Sequence, residues 1–374
     1  MRCGSQTRGD LGNTPSGSTP AWKVAQLFLD VEIFWPIHLL TMNCSKLCIL
    51  LALALAAAPD AFCVSTDSVT APAAATNHLA YAPVLLPGNG LAQHDFLYSG
   101  EARDERLFIV RGGQVVWSYT HPGRGEISDA ILETNGHILF AHQFGITEIN
   151  QDKQVVWNYD APADTEIHTA QPYGPNRVFF IQNGNPAKFI LINQTSGQIE
   201  RQFELTSKKP NSVHRQFRRA RLTAAGTLLI AHLDLGKIVE YDWNGRPLWS
   251  YDLTNCWSAE QLPNGNILAA TSGAQIVREI DRQGGTVWEW TPADAPGYVF
   301  SNNQTATRLP DGNTIINNWF ERLPGQLDAS NAPVQAIEVT PAKKIVWALR
   351  SWLPPVDLGQ STTIQILDHS SSEK

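Results

Sequence analysis

Gln114-Val-Val-Trp117-Ser-Tyr119 decides the fold, because the phrase returns with small changes along the chain. It recurs as Gln154-Val-Val-Trp157-Asn-Tyr159, Arg246-Pro-Leu-Trp249-Ser-Tyr251, Gly285-Thr-Val-Trp288-Glu-Trp290 and Lys344-Ile-Val-Trp347. A degenerate copy, Gln198-Ile-Glu-Arg-Gln-Phe203, falls between the second and third. Trp117 and Trp157 stand 40 residues apart, and Trp249 and Trp288 stand 39 apart. A repeat of this size, built from short strand-like runs, points to propeller blades. Within each period an alanine precedes a turn and then an apolar run. The copies are Ala130 before Asn135-Gly136, Ala170 before Asn176, Ala220 before Gly226, Ala259 before Asn264-Gly265 and Ala306 before Asp311-Gly312. Asn-Gly and Asp-Gly between apolar runs are strong hairpin signals, and a two-residue type I′ turn is expected there. Each period therefore reads as four antiparallel strands, A to D, with the tryptophan phrase as D. The alanine column suits an innermost strand, where small side chains fit near the axis.

Both ends of the array are incomplete in complementary ways. Phe96–Gly100, Arg106–Val110 and Val115–Trp117 supply strands B, C and D without an A. At the other end Thr362–Leu367 reads as a lone A strand, with Thr363 and Ile364 aligned on Thr305 and Ala306. Joining them predicts an all-β, six-bladed β-propeller of four-stranded antiparallel blades over residues 79–374. The C-terminal strand completes the N-terminal blade, and closure leaves no open array edge.

Upstream of the ring, Met42–Lys46 and the apolar run Leu47–Ala58 read as a signal peptide over residues 42–62. The run is too short for a bilayer span, which takes about 20 residues. Residues 1–41 are expected to be a misassigned N-terminal extension, and residues 63–78 a flexible linker. Export to a periplasmic or extracellular location follows, with no membrane span in the mature chain. Of five cysteines, Cys3, Cys44, Cys48 and Cys63 precede the ring, which leaves Cys256 and no disulfide framework. The formal net charge of −7 excludes a nucleic-acid partner that needs a basic surface. A monomer is expected.

The phrase G-x-V-V-W-x-Y at this period resembles the tryptophan-docking repeats of quinoprotein-dehydrogenase-like (PQQ-binding-like) propellers. It is also similar to the six-bladed arylsulfate sulfotransferase-type propellers and to envelope assembly scaffolds. Eight-bladed quinone-dependent dehydrogenases carry an adjacent cysteine pair beneath the cofactor; this chain has none, so neither PQQ nor any other cofactor is expected. The resemblance implies either a histidine-based transferase or lyase, or a non-catalytic interaction scaffold of the cell envelope.

Turns joining A to B and C to D share one face, so the starts of A and the ends of B meet on the other, the top. Two residues before the alanine column stand Ser128, His168, Arg218, Trp257 and Gln304, with Thr362 in the closing blade. The ends of B add His142, Gln182, Asn183, His232, Asn317 and Trp319. His94 precedes the first B strand and His214 precedes the fourth A strand. Polar and aromatic groups gathered on one concave mouth make a ligand site. Imidazole and guanidinium suit an anion, while tryptophan suits a sugar ring. His168 and His232 are the expected catalytic residues, with Arg218 as the anion partner and a small anionic or carbohydrate ligand. No spacing such as H-E-x-x-H is present, and no metal is expected.

Overall fold

The computed structural model describes residues 90–101, 104–320, 333–353 and 356–368. These lie within the second of two units into which the chain divides, residues 75–374. The expected extension, signal peptide and linker, and residues 79–89 of the expected ring, lie outside the described residues.

The hairpins form where the sequence places Asn-Gly and Asp-Gly, but by a different turn. Only the glycine takes positive φ, as at Gly136 (86°), Gly265 (87°) and Gly312 (89°). The preceding Asn or Asp stays at negative φ and uses its Oδ1 to accept the backbone N–H two residues on: Asn135 from His137 at 2.8 Å, Asp311 from Asn313 at 2.9 Å. Gly136 N–H also donates to Glu133 O, and Glu133 N–H to His137 O. This is the three-residue loop in which a glycine follows a type I turn, rather than the expected type I′ pair.

Six four-stranded antiparallel sheets result, each ordered A-B-C-D. Blade 1 pairs strand A, Gln360–Ile366, with strand B, Phe96–Glu101, followed by Arg106–Arg111 and Gln114–Thr120. Blades 2 to 6 begin at strands Asp129–Leu132, Glu166–Pro172, Phe217–Leu222, Cys256–Gln261 and Asn302–Arg308. The two chain ends thus share one sheet, with Tyr98 opposite Ile364 and Phe96 opposite Ile366. A short pair, Trp352–Leu353 with Val356–Asp357, precedes the closing strand.

The core is divided among the blades. Six apolar clusters each draw on two neighbouring blades; Phe179, Phe189, Phe217, Leu228 and Ile230, for example, join blades 3 and 4. The alanine column is buried throughout: Ala130, Ala170, Ala220, Ala259 and Ala306. Strand-D tryptophans fasten four of the blades to the next. Trp117 Nε1 donates to Gln151 O (2.9 Å), Trp249 to Arg282 O (3.0 Å), Trp288 to Pro341 O (2.9 Å) and Trp347 to Gly90 O (2.6 Å). Opposite three of these tryptophans on strand C stands a buried glutamate: Glu240 faces Trp249, Glu279 faces Trp288 and Glu338 faces Trp347. Each glutamate reaches the following blade, through Arg282, Arg308 and His94 respectively. At the degenerate third blade Phe203 replaces the tryptophan and stacks on Phe189, while Trp243 from blade 4 fills the same seam.

Candidate functional site

The column two residues before the alanines reaches the mouth because the strands bulge there. Phe217 pairs with His232 and Arg219 with Ala231, so Arg218 is the extra residue. In the same way Trp257 is extra between Cys256 and Ser258, and Thr362 between Ser361 and Thr363. In blade 3, His168 and Thr169 oppose Ile181 alone, and in blade 6, Gln304 and Thr305 oppose Asn317 alone. A bulge turns a side chain that the pleat would bury between blades toward the channel instead.

Around this column the structure assembles a charged cluster. His168 is buried, with Nδ1 2.9 Å from Glu126 Oε1 and Nε2 2.8 Å from Glu166 Oε2. Ser128 Oγ lies 2.9 Å from His168 Nδ1, and Arg218 Nη1 lies 3.1 Å from it. Arg218 also donates to Glu126 and lies over the Trp257 ring at 4.5 Å. His214 sits on the 3-10 turn Val213–Arg215, edge-on to His168 at 5.0 Å, with Nδ1 2.8 Å from Glu166 Oε2. It is 47% exposed on its side chain, which makes it the imidazole a ligand can reach. Burial opposes the charge on Glu126, yet Arg218, His168 and His214 hold its carboxyl well below the usual range. Glu166 is likewise held down, against its burial, by its bonds to His168 and His214.

Glu101 closes the far side, accepting a 2.6 Å hydrogen bond from Trp319 Nε1. Burial and the neighbouring Glu126 push its pKa up to about 8. Burial likewise lifts Glu105 to about 7. One residue further along the strands, buried Asp129 pairs with Arg219 and Arg221, and Arg219 donates onward to Thr363 at 3.0 Å. This network ties blades 2, 4 and 1 together across the channel. Beyond it lies a cavity of about 400 Å³ lined by Arg219, Arg221, Glu260, Thr305, Arg308 and Gln365. A groove of about 740 Å³, lined by Phe144, Pro162, Thr165, Glu166, Asn185 and Val213, opens between blades 2 and 3.

Several expected site residues lie elsewhere. His232 is fully buried, edge-on to Phe217 and 3.0 Å from the Tyr241 hydroxyl, and burial drops its pKa to about 4. It packs in the seam between blades 3 and 4, apart from the bulged column. His142 is buried under its own strand B–C loop, 4.3 Å from the His121 ring, with pKa near 4 from burial and that neighbour. His94 lies at the start of strand B, on the bottom, bonded to Glu338 and Asp368. Asn183 donates to Val213 O and Phe217 O, and so holds the loop that carries His214. Gln182 accepts from the Tyr159 hydroxyl and Asn317 donates to Ser361 Oγ, whereas Gln304 keeps its place in the bulged column, on blade 6. The cluster therefore gathers His168, His214, Arg218 and Trp257, with Trp319 beside Glu101.

The carboxylates Glu126 and Glu166 were not among the expected site residues, though a signal exists. Both stand four residues before their alanine, in Glu126-Ile-Ser-Asp-Ala130 and Glu166-Ile-His-Thr-Ala170.

No family model matches the chain, and no curated protein matches it. Among solved structures, a protein of unknown function from Bacteroides caccae is similar at 22% identity and TM-score 0.64, over 74% of this chain and 99% of that one. Virginiamycin B lyase from Staphylococcus aureus is similar at 14% identity and TM-score 0.46, over 68% and 96%. BamB from Moraxella catarrhalis is similar at 14% identity and TM-score 0.38, over 57% and 61%. The first of these likenesses bears on the fold alone.

Proposed function

We propose that this chain is an exported propeller that binds a small polar ligand at the top mouth of its ring. The supporting observation is the strand bulge that turns His168, Arg218 and Trp257 onto one surface beside the exposed His214. Bulges are over-represented next to active sites, where they re-aim side chains. Of the two ligand classes, the surroundings favour a hydroxyl-rich glycan over a free anion. Arg218 already pairs with Glu126, and Glu101, Glu105 and Glu166 add further carboxyls nearby. An anion has to compete with Glu126 for the guanidinium, whereas a sugar can stack on Trp257 or Trp319 and use the carboxylates as acceptors.

Any histidine-based lyase or transferase step runs through His214 rather than His168. Both nitrogens of His168 are held by carboxylates, while His214 is fixed by Glu166 through Nδ1 alone. An oriented imidazole with one nitrogen facing solvent is the arrangement that general acid–base catalysis uses.

The test is calorimetric titration of the purified chain with neutral oligosaccharides, uronate oligosaccharides and aryl sulfates, all with chelator present. His214→Ala and Trp257→Ala should each weaken binding about tenfold, a loss of about 1.4 kcal/mol. His214→Ala should leave the melting temperature almost unchanged, because an exposed substitution moves stability by about 0.5 kcal/mol or less. Unaltered binding in both variants removes the mouth as the site.

A further inference from the structure

We propose that Glu126, His168 and His214 form a site for one divalent transition-metal ion, with zinc the ion their donor set suits best. The inference goes beyond glycan binding, since it makes His214 a metal ligand instead of a free base, and its test needs no glycan.

One donor atom from each of the three residues lies within 4.8 Å of the others. Zinc bonds imidazole nitrogen and carboxylate oxygen at about 2.0–2.2 Å, so donors on one ion stand about 3–4 Å apart. His168 Nδ1 and Glu126 Oε1 already stand 2.9 Å apart. His214 is the least packed of the three, on a surface turn and half exposed, so closing the remaining distance falls to its side chain.

Glu166 then has a distinct role. It contacts His168 Nε2 and His214 Nδ1, each at 2.8 Å. With those two contacts kept, His168 Nδ1 and His214 Nε2 are the nitrogens left to take an ion. A ligating histidine ordinarily donates its other N–H to a carboxylate, which fixes its tautomer and ring orientation. Here one carboxylate does so for both rings. Two imidazoles and one carboxylate form a three-ligand set that leaves a coordination position open, as in sites where zinc meets water or substrate. The mouth is the side from which that position is filled.

Arg218 is the resident cation. Its Nη1 donates to Glu126 and lies 3.1 Å from His168 Nδ1, the same two atoms an ion would take. An arriving ion displaces that contact, while the guanidinium keeps its seat over Trp257. Arg218 therefore competes with the metal. Sequence spacing could not reveal the site, because its ligands come from three places far apart in the chain: the connection before blade 2 (Glu126), the inner strand of blade 3 (His168) and the turn before blade 4 (His214).

The experiment strips the full chain with chelator, confirms its fold by circular dichroism, and titrates zinc by calorimetry with metal analysis of the dialysed product. One equivalent per chain is expected. Glu126→Gln and His214→Ala should each weaken binding about 100-fold, and Glu166→Gln by about 10–100-fold, as loss of an orienting carboxylate does. Arg218→Ala should bind zinc more tightly than the parent. Cobalt(II) should give the visible absorption of a four- or five-coordinate site that disappears in His214→Ala. His214 is exposed, so that variant stays folded and carries the decision. Binding well below one equivalent, unchanged affinity in His214→Ala and Glu126→Gln, or weaker binding in Arg218→Ala overturns the proposal.

Discussion

Replacing His94 with alanine tests how firmly the ring is fastened where its two ends meet. The imidazole is 7% exposed and lies between Asp368 Oδ2 at 2.7 Å, at the end of the closing strand, and Glu338 Oε2 at 2.9 Å, in blade 6. It also stands edge-on to Trp347 at 5.0 Å. A hydrogen bond to a charged group contributes about 1.5–3 kcal/mol, and an aromatic edge contact about 0.5–1.5 kcal/mol. Neither carboxylate is orphaned by the change: Glu338 keeps the Asn313 amide at 2.7 Å, and Asp368 keeps the Asp95 N–H at 2.6 Å. The lower end of those ranges therefore applies, about 3.5 kcal/mol in all. For a ring of this size that lowers the melting temperature by roughly 6–10 °C. Burial works against the charge on His94, but the bonds to Glu338 and Asp368 outweigh it and raise its pKa above 6.5. A raised folded-state pKa gives stability that is fully present below 6.5 and lost as pH rises through the folded value. The melting-temperature gap between parent and His94→Ala should therefore be widest near pH 6 and narrow toward pH 9. A gap of less than about 2 °C at pH 6, or one that widens with pH, would refute the reasoning.

Three further substitutions probe other parts of the ring. Trp249→Phe removes the indole N–H given to Arg282 O but keeps a ring over Tyr251, so urea unfolding should show a loss of about 1 kcal/mol. Ala220→Leu overfills a fully buried place beside the axis and should cost about 1–3 kcal/mol by the same assay; no loss would mean the column tolerates bulk. Burial raises Glu260 from 4.5 to about 7, against the pull of Arg221, Arg219 and Arg308. The folded state then holds the proton longer, so stability falls as pH rises from about 4.5 to 7. Glu260→Gln should melt higher than the parent at pH 8 and level with it at pH 4.5; the reverse trend would count against the assignment.

The ring was legible because it is written in spacing. A tryptophan in five of the six blades and an alanine in five of the six inner strands are positional signals, and the structure uses both at the seams between blades. The closing strand was legible for the same reason, with Ile364 arriving opposite Tyr98. The strand-C glutamate column was equally periodic, in Glu148-Ile, Glu240-Tyr, Glu279-Ile and Glu338-Val, but reads as an ordinary solvated charge until the cross-strand tryptophan is placed over it. The histidines were harder, because one residue type serves opposite purposes. His232 and His168 both sit near the top of an inner strand, yet one packs against Phe217 and the other faces two carboxylates. What separates them is bulge register. His232 pairs opposite Phe217, whereas His168 falls inside the bulge. Register is a property of two strands together and is absent from either one alone.

The distribution of charge around the mouth follows from where the repeat departs from itself. Blades 5, 6 and 1 give the bulged column Trp257, Gln304 and Thr362, none of them charged, whereas blades 3 and 4 give His168 and Arg218. Blade 3 is also the one whose docking tryptophan is missing, and the stretch after it, residues 206–216, carries His214 on an added turn. That stretch is anchored by its own devices, with Asn183 donating to Val213 O and Gln216 Nε2 donating to Gly184 O and Pro210 O. A loop held by buried amides on both sides presents His214 at a fixed place, as a ligand-binding constellation requires. Where local rules of a repeat fail and the surrounding structure compensates, the failure marks a site under a different constraint. The seam between blades 3 and 4 is closed by Trp243 from the other side, so its stability does not depend on the missing tryptophan. The lost tryptophan and the added turn thus fall at blade 3 and the connection after it, which supply Glu166, His168 and His214, and substitutions there should change binding at the mouth before they change the ring.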